Sequence, residues 1–100
     1  MQRLDLSAAR DSSGPTIAFE GAEPRTAYLT LEADERVPKH DHPGRTVICS
    51  LRSGRLRFEH DDGSVELEPG DVLRFDGETD VSVVAVEDSE ALVVVPYADD

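Results

Sequence analysis

The residues with the most chemistry to offer lie in one short stretch, Lys39-His40-Asp41-His42-Pro43-Gly44-Arg45. Two of the chain's three histidines stand two positions apart in it. In extended backbone, residues i and i+2 point to the same face. His40 and His42 would therefore aim two imidazoles at one point in space. Imidazole nitrogen is a common ligand for zinc, iron, nickel and copper. Pro38 ahead of the pair and Pro43-Gly44 behind it make a stiff corner. The other reading of the pair is a polar pocket lining that binds an organic ligand directly. Arg45, close behind His42, is the residue best placed to meet a carboxylate or phosphate. The third histidine, His60, falls at the end of a strand, where a hairpin-end side chain in water is expected. Cys49 shares parity with Val47 and Leu51, which predicts a small buried hydrophobe rather than a reactive thiolate.

Strands must position this corner. Thr16-Ile17-Ala18-Phe19 reads as a short strand, and Arg25 to Leu31 as another, with Ala27, Leu29 and Leu31 on one face. Ala33-Asp34-Glu35-Arg36 is a polar turn. Thr46 to Leu51 is almost continuously apolar, as in a strand covered on both faces. Ser53-Gly54 is expected to turn the chain. Arg55 to His60 then alternates, with Leu56, Phe58 and His60 opposite Arg55, Arg57 and Glu59. Asp61-Asp62-Gly63-Ser64 is a hairpin signal. Val65 and Leu67 point inward after it, and Pro69-Gly70-Asp71 turns again. Val72 to Phe75, Asp80 to Glu87 and Ala91 to Val95 are further strands, separated by Asp76-Gly77 and Asp88-Ser89-Glu90. Leu4, Leu6 and Ala8 alternate weakly, which suggests an edge strand within an N-terminal arm, residues 1–15. No window repeats every 3.6 residues. Eight or nine short strands joined by turns predict an all-β sandwich or barrel.

One hundred residues make one domain, 1–100, with its core over about 16–96. With no tryptophan and five aromatics, that core must be built from Val, Leu, Ile and Ala. A single cysteine excludes an intrachain disulfide and fits a reducing, cytoplasmic compartment. The N-terminus lacks a signal-peptide apolar region, and no run is apolar enough to span a membrane. The net charge of −12 argues against nucleic acid and anionic membranes as partners. The charge is uneven: residues 36–57 hold six basic residues against Asp41 alone, whereas 58–100 hold Arg74 against fourteen acids. The histidine corner thus sits in the basic segment, which favours a small anionic ligand. Val81 to Val86 and Leu92 to Val95 are apolar at both parities. One parity fills the interior, and the other needs a second sheet or a second subunit, so a symmetric homodimer is expected.

These residues resemble the cupins, in particular small single-domain members of the RmlC-like jelly-roll group. The family's first motif has the form G-x5-H-x-H-x3–4-E-x6-G, and the second G-x5-P-x-G-x2-H-x3-N. His40-Asp41-His42 looks like the paired histidines, and Gly54 like the closing glycine of the first motif. Gly63 through Leu73 resembles the hairpin between the motifs, and Glu87 through Ala91 the late turn of small cupins. The likeness runs from about residue 25 to 95. It implies a double-stranded β-helix, a jelly-roll barrel, which agrees with the strand count. It also implies a divalent metal (zinc, nickel, manganese or iron) beside a small-molecule ligand, with dioxygenase or isomerase chemistry usual in the family. Several positions depart from the pattern. Asp34 stands at the first glycine. The glutamate position falls on Thr46 or Val47. The third histidine falls on Asp80 if one loop is a residue short, and on Val81 otherwise. The ligand set so implied is His40, His42 and Asp80, with Arg45 and Thr46 as substrate-binding residues. Two outcomes remain open: a metal-dependent enzyme, or a metal-free cupin that binds a ligand or partner without catalysis.

Overall fold

The structure, a computed structural model, describes residues 1–11 and 13–98, with Ala8 by its backbone alone. It holds a short helix, α1 (Leu6–Arg10), and seven strands: β1 (Gly14–Ile17), β2 (Arg25–Leu31), β3 (Arg36–His40), β4 (Thr46–His60), β5 (Gly63–Leu67), β6 (Val72–Asp76) and β7 (Val81–Val95). Every pairing is antiparallel.

Two of these strands are fifteen residues long, and both are bent. The first half of β4, Ile48 to Leu51, pairs with the second half of β7 and with β6. Its second half, Leu56 to Glu59, pairs with the first half of β7 and with β5. The outer partners follow suit: β2 joins the second half of β7, and β3 the first. Counted by halves there are nine strand segments, in two facing layers, β1-β2-β7-β4-β6 and β3-β7-β4-β5. This is the jelly-roll barrel expected from the sequence.

The bend explains why two turns expected from the sequence are not turns. At Ser53-Gly54 and at Asp88-Ser89-Glu90 the strands run through, with register shifts opposite each other. Gly54 has φ +86°, and a Cβ there would collide with the Asp88 carbonyl oxygen and with Ser89. Glycine permits both the left-handed backbone and the close approach. Buried Ser89 closes the same point: its Oγ accepts from the Arg55 N–H at 2.9 Å and faces the Glu87 carbonyl at 2.7 Å. The turn before β3 keeps the backbone a glycine would favour, with Asp34 at φ +72°. Aspartate is one of the few side chains that visits this region readily.

The interior is aliphatic with two rings. Leu29, Leu31, Cys49, Leu51, Leu56, Phe58, Leu67, Val81, Val83, Ala85 and Ala91 form one buried cluster. Phe58 and Phe75 meet edge to face at 6.0 Å. Outside, the layer's own charged side chains cover β7. Arg36 and Arg57 both pair in register with Val84, and their guanidinium groups hold Glu59 at 3.1 Å each. Their aliphatic stems shield the strand, and Val84 is only 8% exposed.

The N-terminal arm differs from expectation. Leu4 to Ala8 form no edge strand; Leu6–Arg10 are helical. Asp5 caps the helix, its side chain accepting from the Ser7 N–H at 3.0 Å, and an aspartate N-cap outweighs a weak alternation. The helix is fastened to the barrel by Arg10, which pairs with Glu90 at 2.9 Å. Strand β1 is also shifted two residues toward the N-terminus of the expected span.

Candidate functional site

The barrel encloses a cavity of about 210 Å³ open at one end. Its walls are apolar: Leu29, Val47, Phe58, Phe75, Val83 and Val93 are among them, with fully buried Cys49. Polar groups appear at Arg25, His40 and His42. Each wall position follows from strand parity. Ala27 and Leu29 point inward from β2, Val47 and Cys49 from β4, and Val81 and Val83 from β7.

The histidine corner is held by a clasp. His42 N–H donates to the Gly77 carbonyl at 2.7 Å, and Gly77 N–H donates to the Arg45 carbonyl at 2.8 Å. Gly77 is buried, and a Cβ there would strike the carbonyl groups of His42 and Arg45. Gly44 N–H adds a bond to Glu78 Oε1 at 3.1 Å. The corner is thus tied to the β6–β7 turn, and two imidazoles are carried on a fixed loop.

The two rings do converge, as the spacing suggests, with centroids 4.8 Å apart and planes at 84°. His40 ends β3, opposite Val81. Its Nδ1 lies 2.8 Å from the Pro38 carbonyl. A carbonyl can only accept, so Nδ1 carries the proton, and in the neutral ring Nε2 presents a lone pair. His42 is half-buried, and its pKa lies below the ordinary histidine value. Burial is the main cause, followed by the neighbouring His40 and Arg25 charges. Each of these causes favours the neutral ring.

The other expected site residues do not line the cavity with the pair. Asp80 is exposed and does not line the cavity; the inward position on β7 is Val81. Asp80 instead contributes to the field around Lys39. Among the described residues, no group of three or more His, Cys, Asp or Glu side chains could hold a metal ion. Thr46 is buried at the start of β4, its N–H donating to the Pro96 carbonyl at 3.0 Å, and the cavity wall takes Val47. Arg45 is spent on the protein itself. It holds Glu23 at 3.0 Å, donates to the Val95 carbonyl at 2.7 Å and lies 4.1 Å over the Tyr97 ring. His60 accepts from Asp62 N–H at 3.3 Å, at the hairpin end. Cys49 is a buried hydrophobe as expected, its thiol pushed up to about 12 by burial.

Arg25 is the cavity residue the sequence reading passed over. It opens β2 on the parity of Ala27, Leu29 and Leu31. Extending that inward face by one step would have placed it at the barrel mouth.

The chain belongs to the cupin domain family, whose model matches residues 27–97. Its fold recurs in solved structures. A cupin-2 domain protein from Shewanella frigidimarina is 13% identical, with 93% of each chain covered and a TM-score of 0.75. KdgF from a Halomonas species is 20% identical over 86% of this chain and 81% of its own, with a TM-score of 0.72. The cupin domain of an XRE family transcriptional regulator from Enterobacter cloacae is 16% identical over 85% and 96%, with a TM-score of 0.74. At such identities the likeness shows the fold alone. Comparison with curated proteins returns no match. Among the described residues, no helix is long and apolar enough to cross a membrane.

Proposed function

We propose that this cupin is a metal-independent binding module whose barrel takes a small, largely apolar molecule. The observation that carries this reading is the cavity itself: apolar walls around about 210 Å³, with two imidazoles at one end. A cavity of roughly 150 Å³ accepts benzene, so this one suits a substituted ring. Apolar burial supplies the affinity, and the histidines orient the polar end. His40 Nε2 accepts from a ligand hydroxyl, and His42 can donate or accept.

Cupins often bind divalent metals, and the paired imidazoles are suited to one. The donor set does not fit that role here. Among the described residues no group of three donors forms, and of the positions where the family pattern would supply further ligands, Val47 and Val81 are the ones that line the cavity. Structural metal sites take four ligands and catalytic ones usually three.

The test is calorimetric titration of para-cresol into protein stripped with chelator. One-to-one binding, unchanged by added zinc, nickel, manganese or iron(II), is expected. A Val83→Phe variant, which fills the cavity, should abolish it. Binding that requires added metal, or that survives the filled cavity, would contradict the reading.

A further inference from the structure

The barrel mouth carries a cation, Arg25, that makes no ion pair among the described residues. Most of the basic side chains nearby are engaged: Arg36 and Arg57 with Glu59, Lys39 with Asp61, Arg45 with Glu23. Arg25 lines the cavity and takes part in no ion pair among the described residues. Glu23, whose carboxyl feels the Arg25 charge, is already gripped by Arg45, which holds it below the usual carboxylate range. The inward side of Arg25 is flanked by the His pair and by Ile17, an apolar side chain left 41% exposed beside Ala27.

We propose that Arg25 makes the barrel a site for a small apolar monocarboxylate, with its ring or branched chain in the barrel and its carboxylate on the Arg25 guanidinium. This rests on the reading of the barrel as a binding cavity and adds the ligand's class to it. Guanidinium presents a planar fork that matches the two carboxylate oxygens. His42, whose ring nitrogens make no hydrogen bond among the described residues, can turn an N–H toward one of them. An acid with an apolar body fits the division of the cavity: cation and imidazole at the mouth, hydrocarbon inside. A neutral amide of the same shape would bury the same area without the charge-assisted bonds.

Titration of benzoate and of benzamide, into wild type, Arg25→Gln and Arg25→Lys, tests this. Arg25 is exposed and makes no ion pair among the described residues, so its variants should melt as wild type does. Wild type should bind benzoate about tenfold more tightly than benzamide, the worth of a charge-assisted bond at a half-exposed site. Arg25→Gln should erase that preference and leave benzamide affinity unchanged. Arg25→Lys should restore part of it, and 0.5 M sodium chloride should weaken benzoate alone. Equal affinities in wild type, or benzoate binding indifferent to Arg25→Gln, would overturn the carboxylate assignment and leave the barrel reading standing. If neither compound binds, both fall.

Discussion

Tyr28 is fully buried, and its hydroxyl donates to Glu90 Oε1 at 2.6 Å. Arg10 reaches the same carboxylate, with Nε at 2.9 and 3.0 Å from its two oxygens. Together they pin the N-terminal helix to the barrel's outer face. Replacing Glu90 with Gln keeps the shape and removes the charge. A hydrogen bond to a charged group contributes about 1.5–3 kcal/mol, and a neutral one about 1. The Arg10 pair, half exposed on the arginine side, adds little to this. The variant should therefore lose about 1.5 kcal/mol, or roughly 6–12 °C of Tm for a domain of this size. The loss should depend on pH in a defined direction. The Tyr28 hydroxyl first, and then Arg10, hold the Glu90 carboxyl below its ordinary value. The depressed value means that the unfolded chain takes up this proton first. The stability is present above the unfolded carboxylate pKa of about 4.3, and fades as pH falls through it toward the folded value. Thermal melts of wild type and Glu90→Gln from pH 7 to pH 3 should converge at the acid end. A variant within 2 °C of wild type at pH 7, or a gap that persists undiminished at pH 3, would refute the reasoning.

Gly54→Ala should cost roughly 2–5 kcal/mol in urea denaturation, from the left-handed backbone and the collision with Asp88 and Ser89; a loss under 0.5 kcal/mol would contradict the crossing of the bent strands. We also propose a symmetric homodimer through the outer face. Val72 and Leu92 both pair with Ser50 and so lie in one row there. They are 65% and 37% exposed, an apolar strip that a second copy would cover. Light scattering at tens of micromolar should give twice 10.9 kDa, and a monomer mass would refute it.

The barrel was legible in the sequence because its cues are local. Turn residues punctuate the chain, and period-two alternation marks the inward faces of β2 and of the second half of β4. The bends at Gly54 and Ser89 look like turns in the sequence because a bulged strand and a turn use the same residues; only the pairing of β4 with β7 separates them. The histidine pair was also legible, since its spacing sets its direction. What surrounds the pair was not. Arg45 follows His42 closely, yet the clasp to Gly77 turns its side chain toward Glu23 and Tyr97. Arg25 lies far from the corner in sequence and reaches the mouth because β2 runs beside β7. Asp80 and Val81 differ by one residue, and strand parity sends the valine inward. Contacts of long sequence separation decide these three positions.

The central claim is that ligand enters the barrel and meets Arg25 there without a metal. An amide and methyl chemical-shift titration of chelator-stripped protein with benzoate tests it most directly. The account predicts saturable shifts in the valine methyls of Val81, Val83 and Val93 and at Arg25, His40 and His42, with the outer-face residues Leu4, Phe19 and Leu92 unmoved. Shifts confined to the outer face, or barrel shifts that arise only after zinc is added, would contradict it.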